Sequence, residues 1–422
     1  MKKIIITAAA LAAIAPSVYA SKARILALGD AVEDNYFVED SRRIFTNPAH
    51  IHNYKNQVFL EWGENGAAAG GALDSDDTPK AMGGFLMESG NLVYGAYLGN
   101  ESNISSSLRI IASDIDNNTG QAVLPTADNQ IDLFVGGDMG SLKWGADFIY
   151  TAADRDDANK VKSEDSAMAL KTGVQAKNWE AFLNLSLNSE SEVGAGYISA
   201  AGATYTNAQK FDGKFGIQLG GVYKLNNGAE AFVAVKKFDW EHTVSTTKTD
   251  GGLMSYRLGY GKKMKAGNGL AFARAYYENI AVELERNGLA KAELKNSLVP
   301  VVFGYEAQAT SWLTLRGSVK HNLIGTAEGK QLSSYLGTFG NHLQAAVARN
   351  YNGTTTTGYL NGKQTIANST EVNAGASLNF GKLTVDGFVG TTAGSRTGNN
   401  NTKNGVFATD NLLTRVGMTY AF

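Results

Sequence analysis

Apolar and polar residues alternate with a period of two in stretch after stretch of this chain, a pattern that fits a half-buried strand and does not fit a helix. At the C-terminus Leu412, Val416, Met418, Tyr420 and Phe422 fall on one side, with Arg415, Gly417 and Thr419 on the other. Sixteen such strands are legible, at 55–63, 81–88, 91–98, 130–138, 141–150, 166–177, 179–187, 211–224, 228–238, 253–262, 268–277, 298–308, 311–320, 371–380, 382–390 and 411–422. Their joints alternate in length. Ser89-Gly90, Met139-Gly140, Asn178, Asn226-Asn227-Gly228, Ala266-Gly267, Ala309-Thr310 and Gly381 are the tight turns that hairpins require. Between them run 64–80, 99–129, 151–165, 188–210, 239–252, 278–297, 321–370 and 391–410, rich in Asp, Asn, Ser, Thr and Gly.

Short turns at one end and long polar loops at the other mark an outer-membrane barrel, and an even strand count puts both barrel ends on the short-turn side. The expected fold is all-β: a transmembrane antiparallel up-and-down β-barrel of about sixteen strands, with long extracellular loops and short periplasmic turns. A mean hydropathy of −0.19 agrees, because only every second residue of such a strand meets lipid. The 48 Gly, 18 Tyr and 18 Phe, against 5 Pro, suit many strands with tight turns. A soluble β-sandwich or solenoid leaves the loop asymmetry, the terminal Phe422 and the start of the chain unexplained together.

That start reads as a secretory leader. Lys2 and Lys3 precede an apolar run from Ile4 to Ile14, and Val18-Tyr19-Ala20 ends in a small residue. The run is far shorter than the roughly twenty residues of a spanning helix. Residues 1–20 are therefore expected to be a signal peptide cut after Ala20, 21–54 an N-terminal periplasmic or plug segment, and 55–422 the barrel. With 0 Cys there is neither a lipoprotein anchor nor a disulfide. The formal charge of −2, about −4 once Lys2 and Lys3 leave, argues against nucleic acid as a partner.

Strand faces follow from the alternation. Leu142, Trp144, Ala146, Phe148 and Tyr150 oppose Lys143, Gly145 and Asp147, and Val299, Val301, Phe303 and Tyr305 oppose Gly304 and Glu306. A charge on the lipid face near the midplane costs about 2–4 kcal/mol, so charged members must look inward. The pore-lining candidates are Lys143, Lys171, Lys214, Lys236, Arg257, Arg274, Arg316, Lys320, Lys382 and Arg415, with Glu61, Asp132, Asp138, Asp147, Glu180, Glu230, Glu306, Glu371 and Asp386. The signs nearly balance, and opposed clusters across a water-filled lumen would screen solutes by size and polarity. The bland reading of any one of them is a cross-strand pair that fills space. Trp144, Trp179 and Trp312 follow tight turns and Trp62 lies at the far end of its strand, as in two interfacial girdles.

Residues 21–54 show no sustained alternation and supply the plug candidates Arg42, Arg43, Asn47 and Pro48. Ser41 to Ala49, SRRIFTNPA, ahead of the first strand, resembles the N-terminal hatch region of the long-chain fatty-acid transporter family. That resemblance implies fourteen strands and an apolar lumen pocket behind a hatch; the count of sixteen and the charged interior depart from it. The wider stretch, from SKARILALG through NYFVEDSRRIFTNPAHI to FLEWG, is similar to porin-like major outer-membrane proteins of predatory Gram-negative bacteria, over roughly the first forty residues after the leader.

No catalytic constellation emerges. His50-x-His52 lacks a completing Cys or carboxylate pair, and His242 beside Glu241, or His321 beside Asn322, lacks a nucleophile and orienter by spacing; His342 is the fifth. The expectation is a non-enzymatic outer-membrane porin, without cofactor, allowing passive diffusion of small hydrophilic solutes and ions. The alternatives are a hatch-gated transporter of hydrophobic molecules and a structural or adhesive surface barrel. Expected partners are outer-membrane lipid and lipopolysaccharide, the barrel-assembly machinery through the strand ending in Phe422, small solutes, and two further copies if the barrel is a homotrimer. In 321–370, Leu343, Ala346 and Val347 stand at helical spacing, and this loop is expected either to narrow the mouth or to be exposed.

Overall fold

The computed structural model of the chain describes residues 21–32, 34–63, 80–100, 130–156, 161–198, 204–205, 207–331, 362–365, 370–391 and 412–422. The leader, His342 and the helical spacing around Leu343 lie outside them. Among the described residues sixteen antiparallel strands close a barrel. They are β1 (Gln57–Gly63), β2 (Lys80–Ser89), β3 (Leu92–Leu98), β4 (Ile131–Asp138), β5 (Lys143–Asp156), β6 (Lys162–Gln175), β7 (Trp179–Val193) and β8 (Gln209–Lys224). After them come β9 (Ala229–Val244), β10 (Thr247–Ala266), β11 (Gly269–Arg286), β12 (Ala292–Gln308), β13 (Leu313–Lys330), β14 (Thr370–Phe380), β15 (Leu383–Thr391) and β16 (Leu412–Ala421). Each pairs with its sequence neighbour, and β1 closes the ring on β16, with Leu60 opposite Met418 and Gln57 opposite Ala421. The short strand Gly362–Thr365 adds only to the outer end of β13.

All sixteen strands lie where the alternation placed them, and their periplasmic ends agree within about three residues except that β10 runs on to Ala266. The outer ends are the correction. The expected loop 239–252 is mostly the tops of β9 and β10, joined at Ser245-Thr246, and 278–297 is mostly the tops of β11 and β12. Backbone pairing continues there, with His242 opposite Thr249 and Glu283 opposite Glu293. Above the lipid the outward face no longer has to be apolar, so the hydropathy signal ends before the strand does.

The outward face carries exposed apolar side chains around the ring, among them Leu60, Phe148, Leu219, Leu258, Phe303, Leu315 and Tyr420. A closed sheet with such a surface belongs in a bilayer, and this is a bacterial outer-membrane barrel. Phe303, 59% exposed on β12, tests the assignment. Phe303→Arg is expected to destabilise the barrel by about 2–4 kcal/mol in urea titrations of vesicle-embedded protein. A shift within error would mean that Phe303 does not face lipid.

Many inward aromatics lie flat on the wall. Phe182, Phe232, Trp240 and Phe272 stand directly opposite Gly220, Gly259, Gly251 and Gly304, and each ring covers the space that a Cβ on its glycine would need. An aromatic over a cross-strand glycine buries both without filling the lumen. The N-terminal segment packs against this inner wall.

Candidate functional site: the lumen and its plug

The described residues of 21–56 form no strand. They fold as a helix, α1 (Lys22–Ala27), and two 3-10 turns, Ser41–Phe45 and Pro48–Asn53, most of it buried. The starts are locally encoded. Ser21 caps α1, Asp40 caps the first turn by accepting from the Arg42 amide, and Asn47 caps the second by accepting from Ala49, with Pro48 in the following position. Such caps satisfy amides that a short helix leaves open.

The plug is held by charge at four places on the inner wall. Near β12–β15, the Arg24 guanidinium makes a two-pronged contact with Glu306 at 3.0 and 2.9 Å and reaches Asp40 at 3.3 Å. The Ser21 hydroxyl donates to Asp386 at 3.1 Å, and Arg316 binds the same carboxylate at 2.9 Å. Near β1–β3, Arg42 contacts Glu61 at 3.3 Å, bonds to Asn100, and lies 4.1 Å from the centre of the Phe45 ring. On β7, Glu180 takes both Arg43 and His50, the imidazole at 2.7 Å. On β9–β11, Lys236 reaches Asp34 at 2.9 Å, Arg257 donates to the Asp34 carbonyl at 2.9 Å, and Arg274 binds Asp30 and the Gly29 carbonyl.

Shape adds to charge. Gly136, Gly145 and Gly173 stand side by side on β4, β5 and β6, and a Cβ on any of them would run into Ile51, the Pro48–Ala49 backbone or Asn47. This strip of bare backbone is the groove in which the Pro48–Asn53 turn lies. Two apolar clusters complete the seat. Ile25, Leu28, Tyr36, Phe37 and Val38 pack on Phe182, Val222, Phe232, Phe272 and Val302, and Ile44, Ile51 and Tyr54 pack on Phe59, Leu86, Tyr97 and Phe134.

The expected pore lining is therefore largely a plug seat. Glu61, Lys171, Glu180, Lys236, Arg257, Arg274, Glu306, Arg316 and Asp386 all face inward and contact the segment or a group that does; Lys171 donates to the Phe45 carbonyl at 2.7 Å. Asp132 and Asp147 are inward and buried, Asp132 accepting from the Gln130 amide and Asp147 standing opposite Lys171. Glu230 binds Lys263 at 2.9 Å, and Lys320 binds Glu371 at 3.5 Å. Lys143 is half-buried at the periplasmic rim. Arg415 lies on β16 opposite Gly63 and Phe388, and its side chain is outside the described part.

Three assignments are corrected. Lys214 faces outward to Glu241 and Asp250, at 3.4 and 3.0 Å, because a bulge between Gly213 and Phe215 shifts the phase of β8. Asp138 and Lys382 are exposed at tight turns and do not line the lumen. Arg42, Arg43, Asn47 and Pro48 are all buried. Alternation did not point to Arg24, Asp30, Asp34, Asp40 or His50; the capping pattern of Asp40 and Asn47 was the available signal. His50 and His52 turn to different partners, Glu180 and the Trp144 carbonyl, and no metal-holding group of three or more ligands occurs among the described residues.

The outer half of the inner wall has another texture. On β9, Phe238 and Trp240 are buried inward while Lys237, Asp239 and Glu241 face out. On β11, Ile280, Val282 and Leu284 face in and Glu283 and Glu285 out; on β12, Ala292, Leu294 and Leu298 face in and Glu293 and Lys295 out. Phe211, Phe238 and Trp240 form a stacked trio with ring centres 5.9–6.4 Å apart. In this sector the usual barrel pattern is largely inverted: charge outside, and mostly apolar side chains within, with His242 and Asn296 among them on the same faces.

The plug carboxylates respond to pH. Burial opposes ionisation of Asp34, yet Lys236 and Arg257 outweigh it and hold the group at about 2, below its usual 3.8. Burial likewise opposes Glu39, but Lys224 and Lys263 bring it to about 2; being half-exposed, it contributes less. Burial lifts Asp40 to about 6 despite Arg24. For Asp34 and Glu39 the seated state binds fewer protons than the released one, so seating is favoured above about pH 4.5 and lost as pH falls towards 2. Asp40 is protonated in both states through most of that window and adds little slope. Conductance across planar bilayers is expected to appear between about pH 4 and 2, and no change there would show that these ion pairs do not hold the plug.

No family model and no curated protein matches the sequence. Solved structures do match. A Pseudomonas aeruginosa FadL homologue aligns over 95% of this chain and 98% of its own, at 10% identity and a TM-score of 0.42. The Ralstonia pickettii toluene transporter TbuX aligns over 96% and 99%, at 10% identity and 0.36. BauA, the ferric preacinetobactin receptor from Acinetobacter baumannii, aligns over 71% and 53%, at 12% identity and 0.38.

Proposed function

We propose that this outer-membrane barrel is a plug-gated passage for hydrophobic molecules rather than an open diffusion pore. The observation that carries the reading is the inverted sector, where Phe238, Trp240, Val282, Leu284 and Leu294 are buried on the inner side behind an outer surface of Lys, Asp and Glu. Such a wall is chiefly apolar and offers a hydrophilic solute few partners, His242 and Asn296 being the polar groups on the same inward faces. It gives a hydrophobic one about 25 cal/mol for each Å² removed from water. Below it, the charges that would polarise a water column are engaged by the plug, with Arg43 and Glu180 each about 2% exposed. A hydrophobic molecule would reach the apolar wall when the chain that buries it shifts, and would pass driven by its own concentration gradient.

The test pairs two measurements on the refolded chain. In planar bilayers it should be silent at neutral pH. In detergent, a brominated long-chain fatty acid or brominated benzene should quench tryptophan fluorescence saturably, and Val282→Asp should weaken that binding about ten-fold. Sustained, weakly selective ionic steps from the unmodified chain would favour a general porin for hydrophilic solutes, and absence of saturable quenching would remove the hydrophobic reading.

A further inference from the structure

The most deeply buried end of the plug is also the point at which the sequence places a cut. Ser21 is 0% exposed, its hydroxyl donates to Asp386 Oδ2 at 3.1 Å, and the next amide, Lys22 N–H, donates to Glu61 Oε1 at 2.8 Å. Asp386 and Glu61 lie on β15 and β1, the strands flanking β16, and both stand opposite Gly417 of that strand. Gly417 in turn has no room for a Cβ because Ser21 occupies the space. The Ser21 nitrogen belongs to the residue that binds one carboxylate and precedes the amide that binds the other. Covalent bonds of about 1.5 Å therefore keep it within roughly 6 Å of both.

We propose that removal of the leader ahead of Ser21 frees an α-ammonium that seats between Asp386 and Glu61, so that processing itself fastens the plug in the barrel. Before the cut, this nitrogen is an uncharged amide and the two wall carboxylates rely on Arg316 and Arg42. After hydrolysis of the Ala20–Ser21 bond, the leader departs with the new carboxylate and the plug keeps the amine, protonated at neutral pH. The Ser21 nitrogen gains a charge-assisted contact that it lacks in the uncut chain. The order is useful: the segment locks only in a chain that has already been exported.

The experiment does not depend on what the barrel transports. Mass spectrometry of protein extracted from outer membranes should give Ser21 as the first residue. The Ser21 amine, followed by ¹³C NMR after reductive methylation of the folded protein, should titrate at least one unit above the about 7.7 of a free N-terminus, equivalent to about ten-fold slower acylation near neutral pH. Asp386→Asn should return it towards the ordinary value. A refolded chain that retains Ala20 keeps every side chain but moves the ammonium along by one residue; it should lose the upward shift and show more frequent bilayer openings. A first residue other than Ser21, or an ordinary titration in the unmodified protein, overturns the proposal, and neither result depends on the Asp386 variant folding.

Discussion

Glu180→Leu is expected to unseat the plug. Glu180 is the wall group that both Arg43 and His50 engage, and Arg43 and Glu180 are each about 2% exposed. Removing one member of a buried pair costs about 3–5 kcal/mol, because the remaining charge is left without compensation. The barrel has no reason to fall with the plug: its strands are held by their own ladders, and leucine suits a strand. The chain has no Cys, so Ala49→Cys, at a fully buried plug position, supplies a single thiol as reporter. Its alkylation by a water-soluble maleimide should accelerate at least about 100-fold in Glu180→Leu, in line with roughly 3 kcal/mol. Glu180→Gln, which keeps an acceptor for Arg43, should lie between. Equal labelling in all three would show that this contact does not govern release.

The difference between what alternation reveals and what it conceals has a physical origin. Lipid enforces the period of two, so the strands, their order and the outward apolar set were legible wherever the chain crosses the bilayer. Where Glu241, Asp250, Glu283 and Glu293 stand above it, the outer face is wet and the strand has no hydropathy signature. One inserted residue at Gly213–Phe215 was enough to turn Lys214 outward, since a bulge changes phase without changing composition. Most of the charges assigned inward by alternation are buried on the inner wall, where many meet the N-terminal segment. Alternation tells which face Glu61 or Arg274 occupies; it cannot tell whether water or Arg42 and Asp30 will meet them there. Their partners lie in a segment with no periodicity, up to 365 residues distant in the case of Ser21 and Asp386. The apolar interior of the outer sector was missed for a related reason: there, inward apolar and outward charged residues reverse the pattern that defines the lipid-facing set below.

The glycine strip separates shape from charge in the seating of the plug. Gly145 stands opposite both Gly136 and Gly173, and the three leave a band of backbone on which Asn47, Pro48, Ala49 and Ile51 come to rest. Gly145→Val combined with Gly173→Val adds bulk beneath that turn while altering no charge and no hydrogen-bonding side chain. Valine favours strands, so the barrel should form normally. The plug has no such tolerance: at Gly145 the obstruction is the Pro48–Ala49 backbone, which cannot rotate aside as a flexible side chain would. Overpacking costs about 1–3 kcal/mol per site, and two adjacent sites acting on one turn should together release it. The expected result is an Ala49→Cys thiol labelled 100-fold faster or more, with new conductance in bilayers and unchanged urea stability of the barrel. Gly387→Val is the control, because a Cβ there meets nothing closer than 4.0 Å. If the double variant stays closed and protected like that control, the plug is held by its ion pairs alone, and the bare strip on β4–β6 is only a place where the wall is thin.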